Sequence, residues 1–193
     1  MGEILTMHWS GPHRWPKGGR QPREEALEQG GVYVFSVEHP QGYLVYCAGH
    51  TQHFRKRFRQ HDRCYWNGTY SIFDHSAFAA GKRVKVWPGF WFRKHQPLQL
   101  LEDYEARKAE ILAATKRWLD GYRVFVAPID AGKRIRQRIE SALMQAFMEA
   151  EPPACDMPDQ GMSLSSRWPW EEPLAVEKRY HNRILGMPAK MVI

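Results

Sequence analysis

The sequence predicts an α+β fold in which a small antiparallel sheet of three strands is flanked by helices. Two short runs rich in β-branched and aromatic residues, 32–37 and 43–48, are joined through His-Pro-Gln-Gly, which is typical of a turn. A third run of this kind, 122–129, precedes an amphipathic stretch over 133–150. An apolar fraction of 43% with 13% aromatic residues is enough to bury a core, which argues against global disorder.

Two further helices are predicted from hydrophobic periodicity. Residues 52–62 favour a helix because Phe54 and Phe58 are four residues apart on one face, while basic residues cover the rest. The clearest long helix is predicted over 98–119. In the final helix, 133–150, the apolar stripe consists of Ile135, Ile139, Ala142, Leu143, Ala146 and Phe147.

The remaining segments predict additions to one core domain. Residues 1–30 are expected to form an N-terminal arm, irregular up to residue 22 and then capable of two helical turns. The core spans 31–150 and carries an insertion at about 64–119. Residues 151–193 form a proline-rich C-terminal extension whose last segment is predicted as a short strand or a helix.

The net charge indicates which kind of partner the protein binds, and the cysteine content indicates its cellular compartment. The formal net charge of +7 favours an anionic partner, nucleic acid first and anionic lipid second. The three cysteines lack any C-x-x-C pair and predict neither a disulfide framework nor a zinc site, so we expect a reducing, cytoplasmic compartment. No signal-peptide pattern and no run of about 18 apolar residues occurs, so no membrane span is expected.

Four short patterns occur in a fixed order along the predicted core. Gly31-Val32-Tyr33 begins the first strand, and Cys47-Ala48-Gly49 ends the second. Arg57-x-x-x-His61 follows on the basic helix, and Glu140 lies on the helix after the third strand. This ordered set resembles the GIY-YIG nuclease family, in which a helix with an R-x-x-x-H pattern follows the hairpin and a later glutamate holds a divalent metal.

The resemblance implies a function and a role for each residue. Tyr33 would act as general base on the attacking water, and Arg57 would bind the scissile phosphate. His61 would orient the reacting groups or share the proton transfer, and Glu140 would anchor Mg²⁺ or another divalent cation such as Mn²⁺. The expected activity is hydrolysis of DNA phosphodiester bonds by an endonuclease. A sequence-specific restriction-type enzyme and a nuclease that repairs or processes branched DNA are both open alternatives.

The chain departs from the family pattern at Cys47, where the family has its second tyrosine. Tyr46 is adjacent, but neighbours in a strand point to opposite faces, so it is not expected to substitute. Either another group such as His50 covers that role, or the protein is a catalytically impaired nucleic-acid-binding module. The family's usual asparagine after the acidic helix is also missing, with Asn182 as a distant candidate.

Basic residues around the predicted site are candidate phosphate contacts. They are Arg55, Lys56, Arg59, Lys133 and Arg134. The alternative interpretation is a pair of solvated helix faces, with Glu140 in a surface ion pair to Arg136. Phosphate contacts carry no sequence information, so RNA is as compatible with them as DNA. A palindromic target would require a homodimer or two sequential nicks.

The insertion is rich in aromatic residues and turn signals. Residues 83–87 are its one strand candidate. Trp87, Phe90 and Trp91 are compatible with stacking on bases, but a hydrophobic cluster beneath the insertion is the simpler interpretation.

Overall fold

The computed structural model describes residues 4–15, 25–90 and 98–193. Its strands are β1 (Ile4–His8), β2 (Ser10–Arg14), β3 (Gly31–His39), β4 (Gly42–Thr51), β5 (Ile72–Phe73), β6 (Lys85–Trp87), β7 (Tyr122–Pro128), β8 (Ala175–Arg179) and β9 (Lys190–Val192). Its helices are α1 (Phe54–Trp66), α2 (His75–Ala79), α3 (Leu98–Ala106), α4 (Lys108–Gly121) and α5 (Lys133–Met148). The α+β class is therefore confirmed, and no helix of the described residues is both long and apolar enough to cross a bilayer.

The main sheet has four antiparallel strands in the order β2-β7-β3-β4, one more than the sequence predicts. The three predicted strands are β3, β4 and β7. The additional strand, β2, contains Gly11-Pro12, a pair typical of turns. Proline is tolerated there because β2 lies at the sheet edge and its register shifts between Ser10 and His13.

The two ends of the chain form a second sheet in the order β1-β8-β9. β1 runs parallel to β8, with Ile4 opposite Ala175, and β8 runs antiparallel to β9. The structure thus differs from the irregular N-terminal arm expected from the sequence, and the last segment of the extension forms strands. Because the partner strands are far apart in the sequence, local patterns carry little signal for this pairing.

Each face of the main sheet covers its own hydrophobic core. On one face, Tyr33, Phe35 and Tyr122 pack with Phe58 of α1 and with the helices of the insertion. On the other face, Val32, Val34 and Val45 pack against Ile139 and Leu143 of α5. α1 and α5 therefore approach β3 and β4 from opposite sides.

The insertion contains β5 and α2, for which the sequence predicts neither a strand nor a helix, and its long helix is divided. The helix expected over 98–119 is two helices, α3 and α4, separated at Arg107, whose φ of −106° and ψ of 12° depart from helical values. The Arg107 guanidinium donates to Val86 O at 3.3 Å and to the carboxylate of Glu110 at 3.0 Å. These bonds tie the helix junction to β6, a tertiary contact that periodicity does not encode.

The aromatic residues of the insertion form a buried cluster. Trp87, Phe90 and Tyr104 pack together with ring centroids 4.9–5.1 Å apart. Trp87 is fully buried and its Nε1 donates to Gly68 O at 2.8 Å. The hydrophobic-cluster interpretation is confirmed for these residues, while Trp91 lies outside the described residues.

Candidate active site

Tyr33 lies opposite Gly49 in the β3–β4 pair. The Tyr33 ring crosses the space above Gly49, so a Cβ at that position would overlap its Cζ and hydroxyl oxygen. Phe35 and Phe58 hold the ring from other sides, with ring centroids 4.8 and 5.2 Å from that of Tyr33. The glycine of the second motif therefore makes room for the tyrosine of the first.

A β-bulge in β4 changes which side chains face the site. Phe35 pairs with Cys47, whereas the next residue, Ser36, pairs with Val45, which leaves Tyr46 as the extra residue. Tyr46 and Cys47 consequently line the same cavity as Tyr33. The expectation of strict alternation, which excluded Tyr46 from the site, is wrong at this position because a bulge interrupts the two-residue period.

Helix α1 brings the two residues of its motif to the hydroxyl of Tyr33. Nε2 of His61 lies 2.8 Å from the Tyr33 hydroxyl oxygen, and Nε of Arg57 donates to the same oxygen at 3.3 Å. Phe54 and Phe58 are buried and anchor the helix against β3. The spacing of four residues places Arg57 and His61 on one helical face, as expected.

Burial sets the protonation states of this group. Burial, and then the positive charge of Arg57, hold the pKa of His61 well below its usual range. Burial also raises the pKa of Tyr33 well above 10, although Arg57 opposes that change. Both side chains are therefore neutral near pH 7. Because Arg57 donates to the Tyr33 oxygen, we assign the phenolic proton to the hydrogen bond with Nε2 of His61.

The predicted catalytic residues meet around one cavity of about 90 Å³. This volume accommodates several water molecules. The polar side chains and the thiol that line it belong to Tyr33, Tyr46, Cys47, Arg57, His61, Tyr65, Tyr70, Glu140 and Asp159. Four separate parts of the chain thus contribute to the site: the hairpin with α1, the insertion through Tyr70, α5 and the C-terminal extension.

Glu140 extends from α5 towards the end of β4. Its Oε2 is bonded to Nδ1 of His50, and the two side chains are 17% and 21% exposed. Arg136, the ion-pair partner considered from the sequence, instead donates from Nη1 to Ala131 O at 2.7 Å. The carboxylate of Glu140 therefore belongs to the cavity.

The donor set at the cavity is compatible with Mg²⁺ bound through one carboxylate. The described residues contain no group of three or more His, Cys, Asp or Glu side chains placed to hold a metal ion. Mg²⁺ commonly takes one or two carboxylates and completes its shell with waters and phosphate oxygens. Glu140 supplies a hard oxygen ligand beside a space large enough for water.

Asp159 lines the site, although no pattern in the sequence predicts it. Its backbone N–H donates to Tyr46 O at 2.7 Å, and its carboxylate accepts from the Tyr46 hydroxyl. Arg83 Nη2 lies 3.7 Å from Asp159 Oδ1 and links the insertion to this contact. Burial, followed by the charges of Asp159 and Glu140, raises the pKa of the Cys47 thiol well above its usual value, so Cys47 is a neutral thiol here.

The five predicted phosphate contacts have different surroundings. Lys56 and Lys133 are exposed and line an open groove of about 510 Å³ together with Arg57. Arg55 forms an ion pair with Glu28 at 2.6 Å. The remaining two are Arg59, which is exposed and bonds to the α1 backbone, and Arg134, whose guanidinium is held by the C-terminal extension.

The other substitutes considered from the sequence have clear positions. His50 lies beside Glu140, whereas Asn182 donates to Gly11 O at 2.9 Å and does not line the cavity.

Comparisons with protein-family models, curated proteins and solved structures find no match for this chain.

Proposed function

We propose that the protein is a Mg²⁺-dependent endonuclease with a GIY-YIG-like core that hydrolyses DNA phosphodiester bonds, a restriction-type enzyme. One observation carries the proposal: the Tyr33 hydroxyl is contacted by both His61 and Arg57, and Glu140 lines the same cavity. The order and spacing of these four residues in the sequence predict a shared site. Their meeting at one cavity is what a shared catalytic role requires and what independent roles do not.

Arg57 is suited to bind the scissile phosphate. Its guanidinium remains charged, and Arg57 lines both the open groove, together with Lys56 and Lys133, and the cavity that Tyr33 lines. A phosphate bound there adds negative charge beside His61. This charge offsets that of Arg57 and raises the pKa of His61 towards its usual range. Substrate binding therefore makes His61 a better proton acceptor.

Tyr33 and His61 would act together as the proton acceptor for the attacking water. As the water oxygen forms its bond to phosphorus, a water proton passes to the Tyr33 oxygen, and the phenolic proton passes to Nε2 of His61. The bond from phosphorus to the leaving oxygen breaks, and that oxygen takes a proton from solvent. A tyrosinate never accumulates in this scheme, which agrees with the raised pKa of Tyr33.

Glu140 would hold the divalent cation, with water and phosphate oxygens as the other ligands. When bound, the cation stabilises the negative charge that develops on the phosphate group in the transition state. Nδ1 of His50 donates a hydrogen bond to the same carboxylate and so fixes its orientation.

Tyr46, rather than Cys47, would supply the hydroxyl that the second motif provides in the family. The bulge brings Tyr46 to the cavity, and Asp159 fixes its hydroxyl there. A neutral buried thiol at Cys47 has neither the reach nor the hydrogen-bonding strength of a phenol.

The test is cleavage of supercoiled plasmid by the wild type and Glu140→Gln in Mg²⁺, Mn²⁺ or EDTA. We expect metal-dependent cutting by the wild type and loss of cutting in Glu140→Gln. Glu149→Gln, which removes a carboxylate at the C-terminal end of α5, is the matched control and should cut like the wild type. Cutting that persists in Glu140→Gln would contradict the proposed role of Glu140.

The second candidate function is a binding module without catalysis. The observation that favours it is Cys47, at the position of a family tyrosine. A wild type that shifts plasmid at low salt but does not cut it with either metal would establish this alternative. Cutting of an RNA of the same sequence in preference to DNA would instead identify an RNA-directed nuclease.

A further inference from the structure

Two tryptophans project into solvent from the C-terminal extension. Trp168 is 49% exposed and Trp170 is 76% exposed, and their ring centroids are 5.4 Å apart with an interplanar angle of 37°. They flank Pro169 in the segment 165–172, here termed the tryptophan loop. A pair of large exposed aromatic rings on a monomer surface is a common mark of a binding site.

The tryptophan loop is held in place by many hydrogen bonds. Arg134 forms a two-pronged ion pair with Glu171, both contacts being 2.6 Å long, and also donates to Ser165 O at 2.9 Å and Ser166 O at 2.7 Å. Within the loop, Trp168 N donates to Glu171 Oε2 at 2.8 Å. The Trp168 ring stacks on the guanidinium of Arg134, whose central carbon lies 4.1 Å from the ring centroid.

The charge on Glu171 is part of this fixation. The bonds from Arg134, together with the backbone N–H of Trp168, lower the pKa of Glu171 to about 2. Glu171 therefore stays ionised at any pH at which the protein is used. The two rings thus have a fixed base, and little conformational freedom at the base of the loop remains to be lost on binding.

Helix α5 places this loop beside the proposed cleavage site. Lys133 and Gln137, one helical turn apart, line the groove. The adjacent face of the same helix holds the tryptophan loop through Arg134 and through Ser141, whose Oγ lies 2.6 Å from Ser166 Oγ. On α5, each residue that lines the groove or the cavity is followed directly in the sequence by a residue that is hydrogen-bonded to the tryptophan loop. The pairs are Lys133 and Arg134, Gln137 and Arg138, and Glu140 and Ser141.

The charge of this region identifies the partner. Lys56, Arg57 and Lys133 line the groove, and Arg134 lies directly against Trp168. Aromatic rings beside a basic groove are the arrangement by which proteins hold single strands, because the basic groups follow the phosphates while the rings stack on the bases. An apolar protein would use the rings but would have no use for the basic groove beside them.

We propose that Trp168 and Trp170 form a stacking platform for unpaired bases of the nucleic-acid strand that lies in the groove. The proposal rests on the proposed function for the strand in the groove, and it adds a contact to bases. Trp170, the more exposed ring, makes the base contact, and Trp168 supports it from the side of Arg134.

The test compares binding to two single strands in EDTA, where no cleavage occurs. One is a fluorescein-labelled oligothymidine of about 16 nucleotides, within the range of strand lengths that such grooves cover. The other has the same phosphates but abasic sites in place of the bases. Fluorescence anisotropy gives the dissociation constants for the wild type, Trp170→Ala, Trp170→Phe and Lys56→Ala.

We expect Trp170→Ala to weaken binding of the oligothymidine by about 5- to 150-fold, the effect of losing one base–aromatic stack. Binding of the abasic strand should not change. Trp170→Phe should keep most of the affinity because it keeps a ring. Lys56→Ala should weaken binding of both strands alike, since phosphate contacts do not distinguish them.

Three outcomes would overturn the proposal. A Trp170→Ala variant that binds the oligothymidine like the wild type removes the platform and leaves the nuclease proposal intact. If Trp170→Ala weakened binding of the oligothymidine and of the abasic strand equally, Trp170 would not stack on bases. A wild type that binds neither strand nor duplex DNA would remove the proposed function, and the platform with it. Equal thermal melting of the wild type and Trp170→Ala, in which only an exposed ring changes, excludes unfolding as the cause of a loss.

Discussion

The hydroxyl oxygen of Tyr33 and Nε2 of His61 lie 2.8 Å apart in a site where both side chains are buried. The first residue comes from the strand β3 and the second from the helix α1, so the hairpin and the helix must pack correctly for the contact to form. Under the proposed function, this buried tyrosine–histidine pair, with an arginine on the same oxygen, would act as a proton-transfer unit whose members depend on each other.

The variants Tyr33→Phe and His61→Gln should show this dependence. Each should lower the single-turnover cleavage rate by about 10²- to 10⁴-fold, because each removes one step of the proton transfer. The double variant should be hardly slower than the slower single variant, since residues that act as a unit are not additive. Losses that multiply in the double variant would show that the two residues act independently. Urea unfolding of each variant checks that the fold is retained.

The pH dependence of cleavage should reflect the environment of His61. Burial and Arg57 lower the pKa of His61 in the free enzyme, so it remains an acceptor at pH values where an ordinary histidine is protonated. We expect kcat/KM to stay level as the pH falls through 6.5 and to decline only in more acidic solution. An acidic limb centred at the usual histidine pKa would contradict this. The pH profile of kcat/KM for His61→Gln should lack this acidic decline.

The variant Gly49→Ala should damage the site without removing a catalytic group. The added methyl group overlaps the Tyr33 ring, which Phe35 and Phe58 prevent from moving away. We expect a loss of stability of about 1–3 kcal/mol in urea unfolding and a slower cleavage rate. Gly132→Ala is the matched control, because a Cβ there meets nothing within 4 Å. Equal activity of the two variants would show that Tyr33 needs no such space.

The second-motif hydroxyl can be located by comparing Tyr46→Phe with Cys47→Ala. Tyr46→Phe removes only the hydroxyl that bonds to Asp159, and we expect cleavage to fall by about 10- to 100-fold, as for loss of a hydrogen bond to a charged group. Cys47→Ala removes a neutral thiol and should cut at the wild-type rate. The reverse order of effects would assign the role to Cys47.

The parts of the site that the sequence predicts are those with local signals. Tyr33 and Gly49 belong to one hairpin, so strand pairing brings these two residues together. Arg57 and His61 belong to one helix, whose spacing places them on the same face. The order of the predicted elements is enough to identify Glu140 as a candidate site residue. Its position at the same cavity agrees with the resemblance on which it was selected.

The features that sequence reasoning missed depend on irregularity or on distant pairing. One extra residue in β4 turns Tyr46 towards the cavity, and a two-residue period cannot anticipate such a bulge. Asp159 reaches the site from a loop-like segment rich in proline, and β1 finds its partner only at the other end of the chain. The contacts of Asp159 and β1 join distant parts of the chain, so no local window of sequence contains them.

Lys178 should make the stability of the protein depend on pH in an unusual direction. Its side chain is 5% exposed, and its Nζ has no hydrogen-bond partner among the described residues. Burial lowers its pKa to about 7, whereas in the unfolded chain it titrates near its usual value of about 10.4. The unfolded state therefore binds more protons between these values, so the cost of burying the charge is full below pH 7 and is relieved as the pH rises towards 10. We expect Lys178→Met to raise the free energy of unfolding at pH 6 by about 1–3 kcal/mol. The variant should also lack the increase in the free energy of unfolding that the wild type shows between about pH 7 and 10. Urea titrations at pH 6, 8 and 9.5 measure both effects. A variant less stable than the wild type at pH 6 would show that the ammonium group has a partner that stabilises it.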